Sequence, residues 1–487
     1  VKHAAKGMTA VSLDPALNRA PEECRHIHIM GICGTGMAAL AGMLKERGFY
    51  ITGSDENVYP PMSDFLAGIG IDIMAGYRAE NLDPAPDLVV VGNVIRAVNP
   101  EAVALAGKNI PYLSMPQVLG HFFLEDHVPL VVAGTHGKTT TSSLLATALH
   151  RAGASPGFMI GGIVEAFGRN YRIGRGDYFV VEGDEYDTAF FNKVSKFLHY
   201  RPHCAILTSI EFDHADIFPD LDAIKDSFTR FVGLIPADGA LIACMDDPLV
   251  AEIAGQASCP VLSYGRDTGC TYQLCGLEAQ GLATRFTVRK RGKELGRFTM
   301  PLPGLHNALN ATAVIGLMDH LGFGVDRIAN GVASFEGVKR RQQIRGEVND
   351  ITVIDDFAHH PTAVRETING LALAWPEKRL VIVFEPRTNS SRRAIFQEQY
   401  AEAFDNADLV VVREHVPLAD VPLDEQFSSA RLVKDLRGRG MKAHYFPDTD
   451  AILDFLAREA KQGDSIAILS NGGFDNIHIR LLERLRG

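Results

Sequence analysis

Three consecutive α/β units, each wound around a largely parallel sheet, are predicted by this sequence. Three observations lead there. The chain has 487 residues, more than one hydrophobic core accommodates, so two to four domains are expected. Apolar runs of strand length alternate with helical stretches, the pattern of strand–helix–strand crossovers. Two of the runs end in glycine-rich turns, Gly31-Ile-Cys-Gly34-Thr-Gly36 and Gly134-Thr-His-Gly137-Lys138-Thr139-Thr140, and a helical stretch follows each.

Residues 1–25 mix charges, Pro and Asn without an apolar segment. They do not read as a secretion signal and are set apart as an extension with no assigned role. The first unit covers 26–126. A strand over 26–30 enters the first glycine turn, and a helix runs on to Arg47. A second strand over 50–53 ends at Ser54 and Asp55, a third covers 87–91, and Asn99-Pro100 starts a helix at Glu101. The second unit covers 127–345. Its strand over 129–133 leads into the second glycine turn and a helix to Arg151, and further strands end at Glu182 and Ser209. Strands dominate from 239 to 300, where Arg289-Lys-Arg-Gly-Lys293 reads as a solvated hairpin tip rather than a phosphate site. A helix over 305–321 closes the unit. The third unit covers 346–487, with strands at 352–354, 380–384, 409–412, 443–446 and 465–469 and helices between them, a second doubly wound sheet. No repeat of fixed period is present, which removes solenoid folds.

Composition narrows the function classes. Apolar residues make up 46% and charged residues 22%, as in ordinary globular proteins. A net charge of −11 argues against a general nucleic-acid binder, which needs a basic face. The apolar runs are too short to cross a membrane. Seven scattered cysteines without a CxxC pair support neither a disulfide framework nor a structural zinc, and a reducing cytoplasmic location fits best.

The chemistry concentrates at strand ends. In the turn from Gly134 through Thr135, His136, Gly137, Lys138 and Thr139 to Thr140, backbone N–H groups and the helix N-terminus behind them form an anion site. Lys138 suits the β/γ-phosphates of a nucleotide and the Thr139 hydroxyl suits Mg²⁺. The eight-residue P-loop pattern is incomplete, because Val132 stands where its first glycine would be. Val180-Val181-Glu182-Gly-Asp184-Glu185 and Ser209-Ile-Glu211-Phe-Asp213-His214 place carboxylates and an imidazole just past two apolar strands, where ligands collect in α/β sheets. Oxygen donors beside phosphates suit Mg²⁺, and a second divalent ion could accept His214. The earlier loop spells G-x-x-G-x-G, not the dinucleotide G-x-G-x-x-G, although Asp55 lies about twenty residues on. It favours a diphosphate over a helix N-terminus without requiring a nicotinamide.

Taken together, GTHGKTT, Glu182, His214 in EFDH, Gly304-Leu-His306-Asn307-Ala-Leu-Asn310 and Asp355-Asp356-Phe-Ala-His359-His360-Pro361 resemble the Mur ligase family, in that family's order and over nearly everything from residue 26 onward. The resemblance implies an N-terminal Rossmann-like UDP-binding domain, a central P-loop-type ATPase domain and a C-terminal Rossmann-like domain. The implied activity is ATP-dependent and ADP-forming, through an acyl-phosphate. It joins the lactyl carboxylate of UDP-N-acetylmuramate to an amine. The segments around Glu182–Pro202, Glu385-Pro-Arg387 to Arg392-Arg393, and Ser470–Phe474 resemble the peptidoglycan-recycling branch, whose amine is that of the murein tripeptide L-Ala-γ-D-Glu-meso-diaminopimelate. A branch that adds L-alanine is the alternative.

By the same resemblance Lys138, Thr139, His306, Asn307, Asn310, Arg341 and Asp356 contact ATP. Thr139, Glu182 and His214 hold metal at two Mg²⁺ sites. Gly31, Gly34, Thr35, Gly36, Met37, Ser54 and Asp55 face the UDP-sugar. Arg387, Arg392 and Arg393 read the peptide carboxylates, and His359 acts as base or positions the amine. Outside the family, a nicotinamide oxidoreductase leaves Gly134–Thr140 unexplained. A non-catalytic nucleotide binder is expected to lack Lys138, Glu182 or His214.

Overall fold

The computed structural model describes residues 10–419 and 421–487. Residues 1–9 of the N-terminal extension lie outside them. Three large sheets follow one another along the chain. The first has five parallel strands in the order Ile73–Ala75, Tyr50–Asp55, His26–Met30, Leu88–Val91, Tyr112–Ser114. Strands such as Leu88–Val91 are buried throughout, the unbroken apolar run expected where helices cover both faces of a parallel sheet. Chain order reverses at His26–Met30, so a switch point opens at its C-terminal end, where Gly31–Gly36 begins.

The second sheet has ten strands: Lys293–Met300, Ala283–Lys290, Tyr272–Gln280, Val261–Gly265, Ala240–Cys244, Cys204–Leu207, Val128–Ala133, Tyr178–Gly183, Gly157–Val164 and Arg169–Arg172. Its centre is parallel and its two margins are antiparallel. Val128–Ala133 lies between Cys204–Leu207 and Tyr178–Gly183. The phosphate loop, the Glu182–Glu185 segment and the Ser209–His214 segment therefore leave the sheet at three adjacent strand ends. The basic run at 289–293 is the turn of the hairpin between Ala283–Lys290 and Lys293–Met300, as expected. Within 239–300 a helix, Pro248–Ala254, interrupts the strands, capped by Asp247 with Pro248 in its first turn.

The third sheet runs Gln343–Val348, Ile351–Asp356, Ser465–Leu469, Leu380–Phe384, Leu409–Arg413, Ala443–Phe446. It is parallel except for the first hairpin. Its two faces bury separate apolar cores, one around Phe384, Tyr400 and Phe404, the other around Val381, Ile452 and Leu481. The first and second units instead share one core, which runs from Leu40 and Met43 to Phe179 and Leu145. Gly42 marks the closeness of that join, since a Cβ there would collide with the Tyr171 hydroxyl. All seven cysteines are free, and no helix of the described residues is long and apolar enough to cross a membrane.

Candidate active site

The phosphate loop is shaped by two glycines. Gly134 has φ 135° and Gly137 φ 79°, conformations that side chains with Cβ rarely adopt. A Cβ on Gly137 would also lie 2.7 Å from Asn310 Oδ1. The helix Lys138–Arg151 starts directly after Gly137, and residues 139 to 149 are all buried. No apolar stripe distinguishes this helix, because it is enclosed by the sheet and by the helices Leu305–His320 and Val325–Ala333.

Lys138 turns back over the loop. Its ammonium donates to the carbonyls of Gly134 (2.6 Å) and Thr135 (3.1 Å) and pairs with Glu185 at 2.8 Å. His214 Nε2 lies 3.3 Å from the other oxygen of Glu185. Thr139 Oγ1 donates to Glu182 at 2.8 Å, and Glu182 also accepts the Gly161 N–H at 2.7 Å. Arg341 reaches the same threonine, with Nη2 3.3 Å from Thr139 Oγ1, and its guanidinium stands over Phe357. Arg341 sits between Arg340 and Gln342, two non-glycine residues with φ of 63° and 48°, and His214 has φ 54°. Strained backbone of this kind concentrates at functional sites.

Charge is unevenly arranged here. Burial opposes the Lys138 cation, yet Glu185, Asp184 and Glu182 raise its affinity for the proton. Burial likewise disfavours a charged His214, but Glu185 and Asp213 outweigh it and raise its pKa. Glu185 is thus the shared counter-charge of Lys138 and His214. In the sequence Glu185 stands beside Asp184 with no part of its own; the signal for one is that an interior lysine needs a carboxylate when no phosphate is present.

Most of the sequence-predicted ATP residues border one cavity of ≈430 Å³ between the second and third units, among them Gly137, Thr140, His306, Asn310, Arg341 and Asp356. Two of the predicted contacts are turned to the protein itself. Asn307 donates to the Pro303 carbonyl and to Gln342 Oε1, and Asp356 accepts from Gln342 N, Ala358 N and Thr367 Oγ1. Both hold the linker that carries Arg341. His359 donates Nδ1–H to, or accepts at, no side chain; its Nδ1 is 3.0 Å from the Phe357 carbonyl, which fixes the tautomer with Nε2 unprotonated. Burial lowers its pKa despite the nearby Asp213, so it is neutral at pH 7.

His306 is pushed down to about 4 by burial alone. The unfolded chain, with an ordinary histidine near 6.5, then binds more protons between pH 6.5 and 4, so stability is lost as pH falls through that window. The ceiling is about 3 kcal/mol. The thermal midpoint of the wild type is expected to fall more steeply over this range than that of His306→Gln. Parallel melting curves would refute a buried neutral imidazole.

In the first unit, Gly31 has φ 76°, and a Cβ on it would meet Val94. Gly34 caps the helix Thr35–Glu46, and the side chain of Met37 packs beside Gly34 and Gly92. Gly36 faces Met115 and Met159, at the join with the second unit. Asp55 has both oxygens engaged, accepting from Cys33 N of the loop (2.9 Å) and from Asn57 N (3.0 Å), while Ser54 donates to buried Glu101 (2.6 Å). Both side chains are bonded within the first unit. Val94, Arg96, Tyr186, Phe190, Lys193 and Asp216 border a cleft of ≈550 Å³ beside this loop, between the first and second units. Tyr186, Phe190 and Lys193 belong to the Glu182–Pro202 segment set apart in the sequence, whereas Val94, Arg96 and Asp216 carry no signal there.

Among the three arginines, Arg392 is committed to the carbonyls of Thr388 and Val416. Arg387 is exposed and lies against Gly472, whereas Arg393 Nε is buried without a partner among the described residues. Their loop meets the cleft through Asp216, which accepts from Tyr186 Oη (2.5 Å) and Asn389 Nδ2 (3.2 Å).

Three α/β units with a phosphate loop, acidic strand ends and an arginine linker between two clefts describe a nucleotide-dependent ligase. Sequence profiles agree: the Mur ligase family catalytic domain matches residues 26–127, the Mur ligase middle domain 132–318, and the Mur ligase glutamate ligase domain 340–472. The chain belongs to the Mur ligase family. It is 39% identical to UDP-N-acetylmuramate–L-alanyl-γ-D-glutamyl-meso-2,6-diaminoheptandioate ligase of Escherichia coli K12, over 94% of this chain and 98% of that one. Among solved structures it is similar to a murein peptide ligase from Psychrobacter arcticus (36% identity, TM-score 0.70, 95% and 99% of the two chains). It also resembles a UDP-N-acetylmuramate–alanine ligase from Thermotoga maritima (25% identity, TM-score 0.77, 95% and 99%).

Proposed function

We propose that this protein joins UDP-N-acetylmuramate to the tripeptide L-Ala-γ-D-Glu-meso-diaminopimelate, with ATP converted to ADP and phosphate, in peptidoglycan recycling. The observation that carries the reading is the pairing of Thr139 with Glu182 and of Lys138 and His214 with Glu185: Gly137 and Thr140, flanking Lys138 and Thr139, border the nucleotide-sized cavity, and Tyr186, next to Glu185, borders the cleft beside the first glycine loop. A site that must bring a phosphate donor and a carboxylate together needs its positive charge at that junction. Near-full-length identity to the Escherichia coli tripeptide ligase supports the choice of amine. ATP and a UDP-sugar as substrates place the enzyme in the cytoplasm.

The unactivated carboxylate is the obstacle. In this reading the lactyl oxygen of UDP-N-acetylmuramate attacks the γ-phosphorus of ATP, the bond to the β-phosphate oxygen breaks, and an acyl-phosphate and ADP result. The tripeptide amine then adds to the acyl carbon and phosphate leaves. Lys138 releases Glu185 and the loop carbonyls to meet the phosphates, and Arg341 approaches from the linker. Both cations offset the repulsion between two anions. The donors fit magnesium: a hydroxyl and a carboxylate at Thr139 and Glu182, a carboxylate and an imidazole at Glu185 and His214. Two ions held there would supply further positive charge to the transferring phosphoryl group. The tripeptide amine has an ordinary pKa of about 8, so a fair fraction is already neutral and positioning outweighs proton removal. In this reading neutral His359 accepts, through its unprotonated Nε2, the proton that the amine loses. By the same reading Arg387 and Arg393, on the loop whose Asn389 reaches Asp216 at the cleft, pair with the peptide carboxylates.

The test is Mg²⁺-dependent phosphate release from ATP with UDP-N-acetylmuramate and either the tripeptide or free L-alanine. Turnover is expected with the tripeptide and not with L-alanine. Turnover with L-alanine alone would move the chain to the alanine-adding branch, and silence with both would leave a nucleotide-binding protein.

A further inference from the structure

A second cluster of donor groups lies where the third unit meets the phosphate loop. His136 Nε2 is 3.3 Å from Glu211 Oε2, and His360 Nδ1 is 3.5 Å from the same oxygen. All three donor atoms lie within 4.8 Å of one another. We propose that His136, Glu211 and His360 bind one divalent ion of the zinc class, which staples the central unit to the C-terminal one.

Spacing is the first argument. Ligands at ~2.0–2.1 Å from a tetrahedral zinc stand roughly 3.3–3.4 Å apart, close to what is found on both sides of Glu211. Orientation is the second. His360 Nε2 lies 3.3 Å from the Phe212 carbonyl, the outer hydrogen bond by which proteins fix a ligating imidazole and turn its other nitrogen to the metal. That nitrogen now accepts a long bond, 3.3 Å, from Thr362 N–H, which an ion would replace. Thr362 Oγ1 donates to Glu211 Oε2 at 2.7 Å and holds the carboxylate in place. The His360 ring is packed between His136 and Phe396, each at 4.7 Å between centroids, and the His136 peptide is pinned by Ser209 Oγ and Thr208 Oγ1.

Charge and ligand type agree with this. The cluster offers one carboxylate, at Glu211, and an imidazole nitrogen that already carries no proton, since His360 Nδ1 accepts from Thr362 N–H. Magnesium prefers six oxygens, so two imidazoles select a transition ion instead. His136, Glu211 and Thr362 also border the nucleotide cavity, so the ion would sit in its wall and keep the two units closed upon each other.

The experiment titrates the full chain, without nucleotide, with Zn²⁺ against a chromogenic chelator. The wild type should take up one equivalent at this cluster. His360→Gln, Glu211→Gln and His136→Gln should each weaken it by about a hundredfold or more, since losing even an outer-shell partner costs about 10–100-fold. Thermal melting identifies the variants that fold, and any one of the three suffices. His214→Asn should leave the affinity unchanged, separating this cluster from the Glu185–His214 pair. Co²⁺ in its place should show the strong visible bands of a four-coordinate ion without thiolate charge transfer. No uptake by the wild type, undiminished affinity in folded His360→Gln and Glu211→Gln, or loss in His214→Asn would overturn the proposal.

Discussion

Lys138→Ala is expected to abolish turnover, by at least about a thousandfold, while UDP-sugar binding stays nearly intact. Two losses combine. Without the ammonium, the phosphates of ATP lose the one lysine that the loop aims at them. Glu185, which is buried and shared with His214, is left without its closest cation. Removing one partner of a buried pair costs about 3–5 kcal/mol, so the variant should also melt earlier. Lys138→Ala, Glu185→Gln relieves that stranded charge. It should recover the melting temperature but not turnover. UDP-sugar binding is expected to be spared because the glycine loop proposed for it stands on the first sheet, at a different switch point. Calorimetric titration with UDP-N-acetylmuramate checks this. Joint loss of binding and turnover in a folded variant would mean that the two sites have been exchanged.

Gly134→Ala is expected to be nearly as damaging, and through shape alone. The residue has φ 135°, and its new methyl would collide with Thr208 Oγ1 and lie 2.9 Å from the backbone of Ser209. Those atoms cannot yield cheaply. Thr208 Oγ1 donates to the Ala133 and His136 carbonyls, and the Ser209 carbonyl accepts Thr135 N–H. The loop must therefore lift off the neighbouring strand end and take its N–H groups out of register with the phosphates. The expected result is ATP affinity weaker by at least about a hundredfold, equivalent to about 2.7 kcal/mol, with a lower thermal midpoint. ATP binding close to wild type would show that the loop is more pliable than its hydrogen bonds imply.

Strand ends carried most of what could be read in advance. Leu88–Val91 and Leu380–Phe384 stand out because parallel strands buried on both faces are short unbroken apolar runs. The loop at 134–140 was legible for the same reason, with its glycines and lysine packed into seven residues between two such elements. What escaped notice depends on neighbours distant in the chain. Asp55 could have faced a ribose; only the fold shows both oxygens taken by Cys33 and Asn57. Thr139, Glu182 and His214 are legible as donors from their strand ends, but only the fold shows that Glu182 pairs with Thr139 and His214 with Glu185. Strand parity decides which carboxylate of Glu182-Gly-Asp-Glu185 points at the loop, and the start of a turn blurs parity. The helix Pro248–Ala254 did carry a signal, Asp247 before Pro248, but seven residues are too few to show a helical period.

The core shared by the first two units bears on how the chain is made. While the polypeptide leaves the ribosome, the helix Thr35–Glu46 emerges long before Tyr171, the side chain that closes over Gly42. Until then the early sheet has an uncovered apolar flank and depends on the nascent chain catching up. Residues from Gln343 onward face no such delay, since both of their cores are closed by segments of their own. Synthesis therefore has one vulnerable interval, before the central sheet is complete, and that is when a holding chaperone has most to protect.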